Sequence, residues 1–111
     1  MKVNKKSRSF LTGIRKKEKI IDVGKILLKK NEMVTFVTKN NSKHEVTKKE
    51  WGFYATQSIN HRLKKKFKTA LVINSQKRIY IMMVEKTKMK LFKKYCKLEK
   101  QEVLIWLDEI T

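Results

Sequence analysis

The sequence predicts a small α+β domain with one hydrophobic core. A chain of 111 residues, 41% of them hydrophobic, is long enough to bury such a core. Runs of β-branched residues are separated by runs whose apolar residues recur at helical spacing. The predicted order is helix, strand, short strand, helix, helix, β-hairpin, helix and strand. Residues 1–13 are predicted to form a basic flexible arm, and residues 14–111 the single domain.

The first predicted helix covers residues 15–30. Ile20, Val23 and Leu27 fall on one face of this helix, and charged residues fall opposite. Gly24 lies on the apolar face, where it either admits another backbone or is a tolerated weak helix former. Residues 33–38 are rich in β-branched side chains and predict a strand. After a turn, residues 44–46 are predicted to return as a short paired strand.

Residues 47–68 are predicted to form two short helices. Thr47 and Glu50 have the spacing of a capping box, which indicates a helix that continues to residue 55. A polar cap at residue 56 or 58 would start the second helix. Its apolar face contains Ile59, Leu63 and Phe67. The opposite face is cationic and contains His61, Lys64, Lys65 and Lys68.

The C-terminal part predicts a hairpin, a helix and a strand. Residues 69–74 and 78–85 are β-branched or aromatic runs separated by a turn, which indicates a β-hairpin. A helix is predicted from residue 87 to about residue 100, with Met89, Phe92 and Cys96 on its apolar side. Its other side is lysine-rich, and this is typical either of a solvated surface or of a binding face. Residues 102–107 predict the last strand.

The strong positive charge is the dominant property of the chain. The formal net charge is +19, because 29 Lys and Arg residues face only 10 Asp and Glu residues. Self-repulsion of this size destabilises a compact state unless counterions or a polyanion screen it. An A/T-rich genome would favour Lys over Arg, but it explains the shortage of acids less well. The composition therefore predicts a phosphate-rich partner.

Several classes of protein are disfavoured by the sequence. No apolar run approaches the length of a membrane span, and the N-terminus lacks the apolar core of a signal peptide. Cys96 is the one cysteine, so no internal disulfide is expected and a reducing compartment is favoured. We expect a cytoplasmic protein associated with the nucleoid or the ribosome. An organelle matrix is the alternative, because the first 17 residues carry no acid.

The predicted element order over residues 15–85 resembles that of winged helix-turn-helix domains. The resemblance implies that residues 58–68 form a recognition helix, with Asn60, His61, Lys64 and Lys65 facing the groove of DNA. It also implies that the turn at residues 75–77, with Arg78, is a wing that contacts phosphate. The resemblance is one of layout and involves no diagnostic motif.

The sequence therefore predicts a non-enzymatic nucleic-acid-binding protein. The scarcity of Arg indicates backbone or shape recognition of DNA or structured RNA, with few bidentate base contacts. The alternative is a protein-assembly module with an acidic partner. The residues predicted to contact nucleic acid are Asn60, His61, Arg62, Lys64, Lys65, Lys68, Lys77, Arg78, Lys90, Lys93, Lys94 and Lys97.

One aromatic and one polar grouping complete the prediction. Phe53 is the candidate for stacking on an unpaired base beside these cations. Tyr54, Ser58 and His61 are the only grouping of residue types suited to acid–base or nucleophilic work. Their spacing is also what a capped helix with a basic face produces, so no catalytic residue is predicted. No metal, cofactor or small-molecule substrate is predicted either.

Overall fold

The computed structural model describes residues 1–15 and 17–110. Within these residues the chain is mostly β, with ten short strands and one α-helix. Three single turns of 3₁₀-helix lie at Leu63–Lys65, Lys86–Lys88 and Leu107–Glu109. The strands and the helix are β1 (Lys2–Asn4), β2 (Arg8–Thr12), β3 (Glu18–Asp22), β4 (Lys25–Leu27), β5 (Met33–Val37), β6 (Lys43–Lys49), β7 (Gly52–Ala55), β8 (Phe67–Ile73), β9 (Ile79–Glu85), α1 (Met89–Leu98) and β10 (Glu102–Trp106).

The described strands form four small antiparallel sheets. β1 pairs with β4, and the hairpin β2–β3 is inserted between them in the chain. The chain after β4 has a sheet of order β5-β6-β7, followed by a sheet of order β10-β8-β9. Each three-stranded sheet contains at least one hairpin of strands that are consecutive in the chain. Much of the strand pairing is therefore between segments close in sequence.

The predicted α+β class and its winged-helix-like order are wrong, because the described chain is mostly β. Residue 16 of the helix predicted over residues 15–30 lies outside the described residues. The rest of that stretch contains β3 and β4 and no helix. Its apolar residues are mostly β-branched, and such residues lose little side-chain freedom in a strand. Gly24 has a φ of 148°, which lies outside the helical region. A Cβ at Gly24 would collide with the carbonyl oxygen of Asn4, so the close approach of another backbone explains this glycine.

The two helices predicted within residues 47–68 are wrong as well. Residues 47–49 continue β6, and Gly52, at a φ of 143°, opens β7. The Thr47 hydroxyl is hydrogen-bonded to the Thr56 hydroxyl across the sheet, so it caps no helix. Of the second helix only the 3₁₀ turn Leu63–Lys65 forms, because Phe67 already enters the sheet as the first residue of β8.

Other elements are confirmed. The strand predicted at 33–38 is β5, and the short strand at 44–46 is the longer β6. The hairpin predicted from 69–74 and 78–85 is β8–β9, with Phe67 paired to Glu85 at its open end. The predicted helix and last strand are α1 and β10. The flexible arm predicted at residues 1–13 is not among the confirmed elements, and residues 2–4 and 8–12 within it form β1 and β2.

The core lies between α1 and the β10-β8-β9 sheet. Ala70 and Val72 of β8 are fully buried, and Val84 of β9 and Cys96 of α1 are also buried. The Phe92 ring meets the Trp106 ring edge-on, with centroids 5.8 Å apart, which is a favoured aromatic geometry. Burial raises the pKa of the Cys96 thiol, so this cysteine is uncharged at neutral pH.

Glu99 connects the N-terminal hairpin to this core. Its side chain is buried at the end of α1, and its Oε2 accepts hydrogen bonds from the amides of Ile14 (2.7 Å) and Arg15 (3.0 Å). We expect Glu99→Ala to lower the free energy of unfolding by about 2 kcal/mol, because two amides lose their acceptor. Chemical denaturation measures the loss, and amide hydrogen exchange should quicken in β2 and β3.

Glu102→Ala is the matched control, since it removes the same charge from an exposed position in β10. Equal stability of the two variants would contradict the assigned role of Glu99.

Candidate nucleic-acid interface

The segment of residues 58–66 is shaped by Ser58 and by one buried leucine. The carbonyl oxygen of Ser58 accepts a hydrogen bond from the Leu63 amide (3.0 Å), and the Ser58 hydroxyl accepts one from the Arg62 amide (3.2 Å). The Leu63 side chain is only 1% exposed, so it anchors the segment to the core. The neighbours of Leu63 in the chain are consequently turned to solvent.

The turn between β5 and β6 lies opposite this segment and is held by Thr38. The Thr38 hydroxyl donates to Glu85 Oε1 (2.7 Å) and accepts from the Ser42 amide (3.2 Å). Hydrogen bonds from Thr38 and then Ser42 lower the pKa of Glu85, so this carboxylate is charged at neutral pH. Asn41 has a φ of 62°, a left-handed conformation that Asn tolerates. The turn is therefore fixed to β9.

A basic cleft of about 290 Å³ lies between the turn and the segment. Leu63 forms part of its lining, and Gln57 contributes a carbonyl oxygen that is buried without a hydrogen-bond partner in the described part of the chain. None of the described lining residues is acidic. The cations of the basic cleft are Lys43, Arg62, Lys65 and Lys66, and its amides are Asn41 and Gln57.

The guanidinium of Arg62 is only partly committed within the protein. Its Nη2 lies 3.3 Å from Glu45 Oε1, and its side chain is 57% exposed. The three lysines of the basic cleft are exposed. Clustered cations with hydrated side chains suit the binding of phosphate oxygens.

Lys68 is tied to acidic groups of the protein itself. Its ammonium lies 3.0 Å from Asp108 Oδ2 and 3.0 Å from Glu109 Oε1, and 5.0 Å from the centroid of the Trp106 ring. Hydrogen bonds to Glu109 and then Asp108 raise the pKa of Lys68. The structure thus places Lys68 in an internal ion-pair cluster and apart from the basic cleft.

The other predicted contact residues lie on the surface in separate places. Asn60, His61 and Lys64 are exposed beside the basic cleft without lining it. Lys77 and Arg78 are exposed at the tip of the β8–β9 hairpin, where Asn74 Oδ1 accepts the amides of Gln76 and Arg78. The four lysines of the helix are exposed along α1, and they are Lys90, Lys93, Lys94 and Lys97.

Phe53 is exposed on β7, and the Lys48 ammonium lies 5.8 Å from the centroid of its ring. Two residues of the predicted polar grouping of Tyr54, Ser58 and His61 make other contacts. The Tyr54 ring lies 6.1 Å from that of Trp51, and the Ser58 hydroxyl is used by the Arg62 amide. Among the described residues, no cluster of three His, Cys, Asp or Glu side chains could hold a metal ion.

The sequence pattern missed four members of the basic cleft: Asn41, Lys43, Gln57 and Lys66. Asn41 and Lys43 belong to a turn that is recognisably basic in sequence. The turn comes close to residues 57–66 only because β6 pairs with β7, and the sequence pattern did not predict that pairing. Lys66 was indistinguishable from its neighbours in a lysine run. A buried amide in a basic loop has no sequence signal of its own.

A second cleft, of about 370 Å³, lies where the N-terminal hairpin meets α1 and the β8–β9 turn. Glu99 lies in its lining and is already engaged by the amides of Ile14 and Arg15. Tyr80, Tyr95 and Gln101 also line it. This cleft is the junction between the N-terminal hairpin and the C-terminal part of the chain, and none of its described lining residues is a lysine or an arginine.

Comparison of this chain with family models, curated proteins and solved structures found no significant match. In the part of the chain that the structure describes, no helix is long and apolar enough to cross a membrane. Any functional assignment therefore depends on the chemistry of the surface.

Proposed function

We propose that this protein binds RNA, with the basic cleft as the main site for backbone phosphates. The observation that supports this is the convergence of Lys43, Arg62, Lys65 and Lys66 on one concave surface without an acidic lining residue in the described chain. The chain carries a net charge of +19, so a polyanion also relieves the repulsion among its lysines.

RNA is preferred over DNA because side-chain amides line the basic cleft beside its cations. Asn41 is exposed in that lining, and its amide can both donate to and accept from a hydroxyl group. The ribose 2′-hydroxyl is a donor that RNA brings and DNA lacks. The lysine-rich surface favours backbone recognition, because ammonium groups bind phosphate as point charges and read few base edges.

Salt-dependent binding tests this proposal. A fluorescent 20-nucleotide RNA should bind the full chain with an affinity that falls steeply between low and high salt. We expect Lys43→Gln/Lys65→Gln/Lys66→Gln to weaken binding on the order of 10- to 100-fold and to reduce the log–log salt slope by about 2. Fluorescence anisotropy over a series of salt concentrations measures both quantities.

The matched control is Lys90→Gln/Lys93→Gln/Lys97→Gln, which removes the same charge from α1. This triple variant should lose much less affinity than the cleft variant. Equal losses would mean that total charge, and no particular site, determines binding. The absence of a salt-dependent interaction in the wild type would contradict nucleic-acid binding altogether, and equal affinity for DNA of the same sequence would contradict the preference for RNA.

Assembly with another protein is the second candidate, and the exposed edge strand β9 favours it. This strand is at one edge of its sheet, and Ile79, Tyr80 and Ile81 are exposed in succession along it. Exposed apolar edge strands are sites of pairing with another chain. An Ile81→Lys variant that retains RNA affinity but loses association with a protein partner would support this candidate.

A further inference from the structure

The β5-β6-β7 sheet presents an aromatic face to solvent. Phe36 of β5 is paired with His44 of β6, and Lys48 of β6 is paired with Phe53 of β7. Directly opposed residues share a face, and residues four apart on one strand share a face too. Phe36, His44, Lys48 and Phe53 therefore lie on the same side of the sheet, which we call the aromatic face.

The two phenylalanine rings of the aromatic face are exposed to solvent. The Phe36 side chain is 52% exposed and that of Phe53 is 59% exposed. The other residues that strand alternation places on this side are Val34, Val46 and Ala55; Ala55 is exposed, and the two valines are half-buried, as are His44 and Lys48. On the opposite side of the sheet Thr47 is buried, whereas Met33, Val37 and Tyr54 are exposed. The two phenylalanine rings are therefore available for contact with a partner.

The charge of this face matches a nucleic acid. None of the seven residues on it is acidic. Lys48 places an ammonium 5.8 Å from the centroid of the Phe53 ring. Aromatic rings accompanied by cations are the usual means by which proteins hold unpaired bases, since the ring takes the base and the cation takes the phosphate.

His44 extends the aromatic surface beside Phe36. The two rings are stacked, with centroids 6.2 Å apart and planes 21° from parallel. Burial lowers the pKa of His44, so its ring is neutral at neutral pH. A neutral imidazole adds a flat apolar surface without the hydration shell of an imidazolium.

We propose that the aromatic face binds unpaired bases of single-stranded RNA, with Phe36 and Phe53 as the stacking residues. This inference rests on the proposed function and names the form of RNA that the protein recognises. Strand geometry separates the two rings by about 16 Å, so they would hold two different bases of one strand. Duplex RNA hides its base faces and would gain nothing from these rings.

The experiment compares a 12-nucleotide oligouridine RNA with a 12-base-pair RNA duplex. Phe36→Leu/Phe53→Leu retains apolar side chains but removes both rings. We expect this variant to bind the single strand about 10- to 100-fold more weakly, with an unchanged salt slope and unchanged affinity for the duplex. The matched control is Phe10→Leu/Tyr80→Leu, which removes two other exposed rings and should bind both RNAs like the wild type.

The outcomes separate the two proposals. Steep salt-dependent binding that the Phe36→Leu/Phe53→Leu variant fully retains would overturn base stacking and leave phosphate binding by the basic cleft intact. Equal weakening for the single strand and the duplex would also overturn it. A wild-type dimer that the same variant converts to a monomer, measured by sedimentation, would instead make the aromatic face a contact between two copies of the chain.

Discussion

Asp108→Ala should lower the free energy of unfolding by about 3–5 kcal/mol, because it leaves a buried cluster unsatisfied. Asp108 is 1% exposed, and its Oδ1 accepts the Thr69 amide at 2.9 Å. β10 pairs with β8 up to Trp106, opposite Ala70, so the amide of Thr69 lies beyond the end of that ladder. The carboxylate of Asp108 supplies the acceptor that the next residue of a longer strand would have supplied.

Asp108→Asn is the matched comparison. The amide side chain keeps an oxygen for Thr69 but removes the negative charge that faces Lys68, so we expect a smaller loss than for alanine. Glu109→Gln should have the smallest effect, because its carboxylate is largely exposed. Urea denaturation of the three variants measures the series. An alanine variant no less stable than Glu109→Gln would show that the Asp108 cluster contributes little.

The same cluster predicts how stability changes with pH. Burial alone would raise the pKa of Asp108, but hydrogen bonds from Thr69 and Lys68 outweigh it and hold the pKa below its usual 3.8. Stability from this group is therefore complete above about pH 5 and is lost as the pH falls through the lowered pKa. The difference in stability between the wild type and Asp108→Asn should shrink below about pH 4, as measured by denaturation across that range.

The sequence predicted the C-terminal half because local pattern and tertiary contacts agree there. The run at residues 69–74 is β-branched and pairs with its neighbour in the chain, so the hairpin needs no distant partner. Met89, Phe92 and Cys96 recur at helical spacing, and this is the side of α1 that contains its buried residue. In this half of the chain the secondary structure that the local sequence favours is also the one that packs into the core.

Residues 18–27 fit two periods, and their sequence alone did not decide between them. Ile20 and Ile21 are adjacent in sequence. One of them therefore falls on the apolar face whether this segment forms a helix or a strand, so the pair does not distinguish the two structures. What decides is pairing with a distant segment: β3 with β2, and β4 with β1. Local hydrophobic periodicity carries no information about strand partners that are distant in sequence.

The candidate site was partly predictable for the same reason. Arg62 and Lys65 were recognised as basic residues next to an apolar anchor, and both line the basic cleft. Lys43 joins them from a separate hairpin. Lys68 looked equivalent to them in sequence, but Asp108, forty positions further on, holds it in an ion pair. Whether a lysine is available to bind a partner depends on its neighbours in the folded structure.

Leu63→Ala should be among the most destabilising single substitutions in this chain, with a loss of about 3–5 kcal/mol. The Leu63 side chain is 1% exposed and anchors the segment that presents Arg62, Lys65 and Lys66. Leu63→Met keeps the volume and should cost less than about 1.5 kcal/mol. Leu98→Ala is the control for the loss of a leucine at a partly exposed position.

Leu63 also connects stability to binding. At a temperature where the Leu63→Ala variant remains folded, its basic cleft loses the anchor that orients three cations, so RNA affinity should fall although no charge is removed. The salt slope should fall with it, because fewer phosphates are held at once. Circular dichroism establishes that the variant is folded, and fluorescence anisotropy then measures binding. A folded Leu63→Ala variant with wild-type affinity and slope would mean that phosphates are bound by lysines elsewhere on the surface.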